Sequence, residues 1–88
     1  MSKRIALLGS TGSIGRQALD VISRFPADFE VEVLTAGNNI ELLAQQARKF
    51  GPGSVVIGNK AHYARLKELV RDLPVKVYAG EDAVEKIA

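Results

Sequence analysis

The residues of this sequence that could do chemistry are concentrated near its start, where three glycines recur at three-residue intervals among hydroxyl side chains. The stretch reads Gly9-Ser10-Thr11-Gly12-Ser13-Ile14-Gly15, between an apolar run and a helical pattern. It predicts a tight turn from a strand into a helix. The first turn of a helix presents unpaired N–H groups and the positive end of the helix dipole. This pattern therefore indicates an anion site, and the diphosphate of a dinucleotide fits it best.

Each of the three glycines is predicted to be required for a different steric reason. Gly9 permits the sharp turn, Gly12 lets the backbone approach a phosphate, and Gly15 lets the helix pack closely on the strand. The hydroxyls of Ser10, Thr11 and Ser13 are expected to donate to the ligand, or to cap the helix when no ligand is bound. The spacing is G-x-x-G-x-x-G rather than the commoner G-x-G-x-x-G. A turn of the same shape that binds no ligand is the alternative.

A P-loop is excluded, because Gly15 is followed by Arg16-Gln17 and not by the lysine that nucleoside-triphosphate hydrolysis requires. The choice between dinucleotides depends on the end of the second strand, Thr35-Ala36-Gly37-Asn38-Asn39. Sites selective for NAD usually place a carboxylate there. Glu30 and Glu32 lie at the other end of that strand. We therefore predict selectivity for NADP, with space at Gly37 and amide donors at Asn38 and Asn39, although Asn39 could serve only as a helix cap.

The glycine turn forms the first corner of the predicted site, and the residues after the second strand, Gly37-Asn38-Asn39, form the second corner. Both corners must be positioned by the strands and helices around them, and apolar runs alternate with helical patterns along the chain. The predicted strands are centred on Ile5–Leu8, Val31–Leu34, Val55–Ile57 and Val75–Tyr78. The predicted inward faces of the first three helices comprise Ile14, Ala18, Val21, Ile22 and Phe25; Ile40, Leu43, Ala44, Ala47 and Phe50; and Leu66, Leu69, Val70 and Leu73. A fourth helix begins at Ala83, Val84 and Ile87, and Asn39 and Asn59 are the predicted caps.

Strands joined by helices of this length run parallel, with right-handed crossovers. The order βαβαβαβα predicts an α/β fold with helices on both faces of the sheet, that is, the first half of a three-layer, Rossmann-type fold. The first strand is expected to be buried on both faces. Because the chain stops inside its fourth helix, we interpret residues 1–88 as one truncated amino-terminal domain of a longer enzyme.

Composition excludes several other functions. The 88 residues carry a formal net charge of +2, the basic residues are scattered, and there is no cysteine. These features argue against a nucleic-acid-binding surface, thiol chemistry and disulfides. No apolar run is long enough to span a membrane, so a cytoplasmic location is the default. The single histidine, His62, is interpreted as a surface residue, and the sequence offers no catalytic or metal-binding residue.

Together the residues carry a more specific resemblance. The glycine stretch, followed by Leu19-Asp20-Val21 and Ala36-Gly37-Asn38-Asn39, resembles the amino-terminal domain of the 1-deoxy-D-xylulose 5-phosphate reductoisomerases. The resemblance implies NADPH contacts at Thr11, Gly12, Ser13, Ile14, Gly37, Asn38 and Asn39. In that family the position of Asn38 is often basic and can meet the 2′-phosphate, so this sequence departs from the pattern there.

The resemblance also implies properties of a larger protein. That family converts 1-deoxy-D-xylulose 5-phosphate, a sugar phosphate, to 2-C-methyl-D-erythritol 4-phosphate in the non-mevalonate isoprenoid pathway. It is a homodimer and holds a divalent metal, Mg or Mn, in a catalytic domain that this chain lacks. Two alternatives stay open: another NADP-dependent dehydrogenase, such as a relative of aspartate-semialdehyde dehydrogenase, and a module that senses a dinucleotide without chemistry.

Overall fold

Each of the four apolar runs forms a strand in the computed structural model, which describes residues 3–80. The strands are β1 (Lys3–Leu7), β2 (Phe29–Ala36), β3 (Ser54–Ile57) and β4 (Lys76–Ala79). The helices between them are α1 (Ser13–Arg24), α2 (Ile40–Phe50) and α3 (Tyr63–Leu69), the last preceded by a 3₁₀ turn (Lys60–His62). The predicted fourth helix lies outside the described residues.

All neighbouring strands are parallel, and their order in the sheet is β1-β2-β3-β4. Crossovers of one hand that always step in the same direction place their helices on the same face of the sheet. The core fits this arrangement, since one cluster joins Leu19 of α1, Leu43 of α2 and Leu66 of α3 to Leu34 and Val55 of the sheet. The predicted parallel α/β sheet is confirmed, and within residues 3–80 the helices form one layer on one of its faces.

A β-bulge adjusts the strand that leads into the second corner. Ile5 of β1 pairs with Val31, whereas Ala6 pairs with Val33, so Glu32 is an extra residue in β2. Glu32 is exposed, and the four residues that follow it, Val33–Ala36, are all buried. The carboxyl half of β2 is therefore firmly held just before Gly37.

Burial of β1 differs from the prediction. The expectation that this strand is buried on both faces is wrong in the described structure, because Ala6 is exposed and Leu8 is 54% exposed. The physical reason is its position at the edge of the four described strands, with its helix on one face only.

The predicted inward face of α1 is also displaced. The buried residues are Gly15, Leu19 and Ile22, whereas Ile14 is 81% exposed and Val21 and Phe25 are about half exposed. Packing of Gly15 against the preceding turn, described below, decides which side of α1 faces the sheet. An apolar stripe along α1 consequently faces outward.

Two helices are tied together away from the turns. The Arg48 guanidinium of α2 donates to both Asp72 oxygens, at 2.8 and 2.7 Å, and to the Leu69 carbonyl at 2.9 Å. Hydrogen bonding to Arg48 holds the pKa of the Asp72 carboxyl below its ordinary value, and the same bond raises the pKa of Arg48.

None of the helices in residues 3–80 has the length and hydrophobicity needed to cross a membrane.

Candidate dinucleotide-binding site

The glycine turn lies at the carboxyl end of β1 and is anchored to the neighbouring strand. Gly9 has a φ of 72°, the left-handed region that favours glycine. Its N–H donates to the Thr35 hydroxyl at 2.8 Å, and the Ser10 N–H donates to the Thr35 carbonyl at 2.8 Å. The Gly12 N–H then closes the turn on the Gly9 carbonyl at 3.1 Å. The first corner is thus built against the end of β2.

Steric requirements divide the glycines of the site into two groups. A Cβ at Gly15 would stand 2.7 Å from the Ser10 Cα and would collide with the Gly9 carbonyl oxygen, so packing of α1 on the turn demands glycine there. A Cβ at Gly12 would meet only the Gly9 oxygen, at 3.5 Å, and one at Gly37 would meet nothing within 4 Å. Within the described protein a side chain at Gly12 or Gly37 would therefore meet no steric clash.

The start of α1 offers free hydrogen-bond donors. Its N-cap is Gly12, which has no side chain to accept from the helix, and no other side chain in the described part of the chain caps this end. The first helical hydrogen bond runs from the Arg16 N–H to the Gly12 carbonyl at 2.9 Å, which leaves the N–H groups of Ser13, Ile14 and Gly15 without backbone partners in residues 3–80. By contrast, Asn39 caps α2, where its Oδ1 accepts from the Leu42 N–H at 3.2 Å.

The three hydroxyl residues of the turn do not behave alike. Thr11 is partly buried and Ser13 is exposed, but Ser10 is fully buried. The Ser10 hydroxyl donates to Gln46 Oε1 at 2.6 Å, and Gln46 Nε2 donates back to the Ser10 carbonyl at 2.8 Å. The expectation that the Ser10 hydroxyl donates to a ligand is not met in this structure, because that group faces α2.

The second corner, Gly37-Asn38-Asn39, is exposed and is supported by the end of β3. The Gly58 N–H donates to the Ala36 carbonyl at 2.8 Å, and the Asn59 N–H donates to the Gly37 carbonyl at 3.0 Å. The first bond joins the residue after β3 to the last residue of β2, and the second continues the parallel pairing beyond both strands. Because β1, β2 and β3 are neighbours in the sheet, the two predicted corners lie along the same edge.

The second corner itself, residues 37–39, contains no acidic residue. Glu30 and Glu32 lie in the first half of β2, as predicted, and the first carboxylate after the corner belongs to Glu41, in the first turn of α2. Within residues 3–80 no group of three or more histidine, cysteine, aspartate or glutamate residues could hold a metal ion. The described part of the chain thus fits an anionic cofactor and does not fit a divalent metal.

Sequence reasoning missed two residues that shape the site, Thr35 and Gln46. Both are buried polar residues, 4% and 7% exposed, that hold Gly9 and Ser10 in place. A signal for Gln46 was present, because it follows Leu43 by three positions and interrupts an otherwise apolar helical face. Asn59 was predicted as a cap, and its Oδ1 does accept from the Ala61 N–H at 3.0 Å.

A parallel α/β sheet, with a glycine turn that opens an uncapped helix at its carboxyl edge, defines a domain of the Rossmann type. Comparison with known proteins then places the chain within a family. Residues 5–88 match the family model described as 1-deoxy-D-xylulose 5-phosphate reductoisomerase. The chain belongs to that family.

Relatives and solved structures agree with this assignment. The chain is 60% identical to the 1-deoxy-D-xylulose 5-phosphate reductoisomerase of Phocaeicola vulgatus, over 99% of this chain and 23% of the relative. It is 61% identical to that of Bacteroides thetaiotaomicron, over 97% of this chain and 22% of the relative. The chain therefore spans somewhat less than a quarter of the length of the curated relatives it matches.

Two solved structures superpose closely. The reductoisomerase of Zymomonas mobilis, in complex with NADPH, matches with a TM-score of 0.95 and 35% identity, over 98% of this chain and 23% of that one. A crystal structure of DOX-P reductoisomerase with NADPH, fosmidomycin and magnesium matches with a TM-score of 0.91 and 29% identity, over 97% of this chain and 21% of that one. The expected fold and family are confirmed.

Proposed function

We propose that residues 1–88 form the amino-terminal NADPH-binding domain of an enzyme that converts 1-deoxy-D-xylulose 5-phosphate to 2-C-methyl-D-erythritol 4-phosphate. One observation carries the proposal. No steric clash within the described protein requires glycine at position 12 or 37, and Gly12 lies at the uncapped start of α1. A diphosphate fits this place, because unpaired N–H groups and the helix dipole both favour an anion.

Different residues of the site bind different parts of the cofactor. The N–H groups of Ser13 and Ile14 and the hydroxyls of Thr11 and Ser13 bind the diphosphate, and Gly12 gives it room. Gly9 and Gly15 shape the turn, and Ser10 positions it through Gln46. Residues 37–39 hold the ribose that carries the 2′-phosphate. When bound, NADPH supplies the hydride, and the role of this chain is to hold it in place.

Selectivity for NADPH over NADH follows from the second corner. A carboxylate at the end of β2 would repel a 2′-phosphate, and this strand instead ends in Thr35 and Ala36 and is followed by Gly37. Exposed amide groups of Asn38 and Asn39 provide donors. The family assignment decides against the alternative of an unrelated NADP-dependent dehydrogenase.

The remaining functions belong to a longer protein than the described residues. Solved relatives contain magnesium and fosmidomycin, and these support a divalent metal and a small phosphate-like ligand for the whole enzyme. Because the described residues do not fit a metal, we assign the metal, the sugar phosphate and the chemistry to other segments. We propose a cytoplasmic homodimer on the family resemblance.

Calorimetric titration of NADPH into Gly12→Val tests the proposal. The valine side chain would occupy the space assigned to the diphosphate, so we expect binding to fall by about a hundredfold or more, as for the loss of several charge-assisted hydrogen bonds. Gly53→Val is the matched control, because its Cβ also makes only an ordinary contact, 3.6 Å from the Glu32 carbonyl. Equal affinity for NADPH in the two variants would contradict the diphosphate site.

A further inference from the structure

We propose that Asn59 determines the selectivity of this site for a 2′-phosphate, by fixing which end of the Asn38 carboxamide faces the ligand. This inference rests on the proposed function, in which NADPH places its adenosine ribose at residues 37–39. Asn59 acts as a positioning residue, since its contacts are with the protein.

Three groups form a short chain of hydrogen bonds at the carboxyl edge of the sheet. The Ala61 N–H donates to Asn59 Oδ1 at 3.0 Å. Asn59 Nδ2 donates to Asn38 Oδ1 at 2.9 Å. The Asn59 backbone is fixed as well, since its N–H donates to the Gly37 carbonyl at 3.0 Å. Asn59 is therefore held at both its main chain and its side chain directly behind the second corner.

The donor-to-acceptor direction of these hydrogen bonds follows from the first donor, the Ala61 N–H. A backbone N–H can only donate, so the Asn59 atom facing Ala61 must be the oxygen, and the other end of that carboxamide must be the donor. The Asn38 atom facing Asn59 must then accept, and it is the oxygen of Asn38. Asn38 Nδ2 is consequently left without a partner among residues 3–80, with both of its hydrogens available.

The orientation matters because Asn38 is neutral. A lysine or arginine at this position would attract a phosphate in any rotamer, whereas a carboxamide attracts it with Nδ2 and repels it with Oδ1. With Oδ1 occupied by Asn59, the amino end is the one that remains for an anion. Lys60, which directly follows Asn59 in the sequence, is exposed, and its side chain stands against Gly80.

Two substitutions at Asn59 separate orientation from capping. Asn59→Ser keeps an oxygen that can accept from the Ala61 N–H, as serine does in short turns, but it cannot reach Asn38. We expect NADPH affinity to fall about tenfold while NADH affinity changes by less than about twofold, since one hydrogen bond to a charged group is lost. Asn59→Asp presents acceptors on both sides, so Asn38 must turn its amino end toward Asp and its oxygen toward the phosphate. We expect a larger loss of NADPH affinity in that variant.

A double-substitution cycle shows whether the effect passes through Asn38. In the Asn38→Ala background there is no carboxamide to orient, and Asn59→Ser is expected to leave the ratio of NADPH to NADH affinity unchanged. Asp72→Asn serves as a stability control, because it weakens the Arg48 pair at the carboxyl-terminal end of α2 and should leave the ratio as in the unsubstituted protein. All affinities are measured by calorimetry on the protein expressed from its complete gene, with thermal unfolding followed in parallel.

The outcomes distinguish this inference from the proposed function. If Asn59→Ser weakened the binding of NADPH and NADH alike, so that the ratio of their affinities stayed unchanged, Asn59 would be a structural residue and the inference would be overturned. An effect on the ratio that persisted in the Asn38→Ala background would also overturn it. In each of those cases NADPH binding itself stands. If the unsubstituted protein bound neither dinucleotide, the proposed function would fail and this inference with it.

Discussion

At the scale of single residues, Gly12 and Gly15 are three positions apart, yet the protein constrains only one of them sterically. A Cβ at Gly15 collides with the backbone of the turn, and backbone atoms cannot move aside as a flexible side chain can. A Cβ at Gly12 makes one ordinary contact. Substitution of Gly15 should therefore lower the stability of the fold, whereas substitution of Gly12 should mainly affect cofactor binding.

We expect Gly15→Ala to lower the free energy of unfolding by about 1–3 kcal/mol or more, the usual cost of overpacking. Gly12→Ala, at an extended φ of −74° and ψ of 170°, should change it by less than about 1 kcal/mol, because alanine is the poorer N-cap but lowers the entropy of the unfolded chain. Urea denaturation of the two variants checks this. If both variants unfolded like the parent, the close contact between α1 and the turn would be refuted.

How much of the site was predictable also differs from residue to residue. The separate reasons for Gly9 and Gly15 followed from their places at the end of a strand and the start of a helix, and the structure bears them out. The inward direction of Ser10 could not be predicted, because it depends on Gln46, 36 positions away in sequence. Local patterns contain no information about such a partner.

At the scale of elements, α2 holds the glycine turn in place through one buried side chain. Gln46 donates to the Ser10 carbonyl and accepts from the Ser10 hydroxyl, and both residues are nearly or fully buried. This pair connects the β1–α1 turn to the helix that begins at the second corner. The two parts of the proposed cofactor site are thereby fixed relative to each other.

Gln46→Met should leave the buried Ser10 carbonyl without its donor and the Ser10 hydroxyl with only its longer bond to the Thr35 carbonyl, at 3.3 Å. We expect a cost of about 1–3 kcal/mol in unfolding free energy. Ser10→Ala in the same background removes the hydroxyl, so the double variant should lose less than the sum of the single variants, with a coupling energy of about 0.5–3 kcal/mol. Urea unfolding of the four proteins measures this coupling. Strict additivity would show that the pair does not hold the turn.

Element faces were harder to predict than the elements themselves. All four strands and the first three helices were found from apolar periodicity, but the predicted inward face of α1 was right at Ile22 and wrong at Ile14, Val21 and Phe25. That helix has two apolar sides, one containing Leu19 and Ile22 and the other Ile14, Val21 and Phe25. Periodicity identifies apolar sides, whereas the contact at Gly15 selects the one that covers the sheet.

At the scale of the whole molecule, cofactor binding and folding should be linked, because both site corners are formed by the packed ends of the strands. An unfolded chain has neither corner, so NADPH binds only the folded state and stabilises it. At a free concentration one hundred times the dissociation constant, this stabilisation is about 2.7 kcal/mol.

For a domain of this size, 1 kcal/mol corresponds to a shift of about 4–8 °C in melting temperature. NADPH at that concentration should therefore raise the melting temperature by about 10–20 °C. NADH at the same concentration, if it binds tenfold more weakly, should give about half that shift, since stabilisation depends on the logarithm of concentration over dissociation constant. Scanning calorimetry at several concentrations of each dinucleotide measures both shifts. Gly53→Val should retain them and Gly12→Val should lose them. A melting temperature independent of NADPH concentration would exclude the dinucleotide from this fold, because no ligand that binds only the folded state can leave the unfolding equilibrium unchanged.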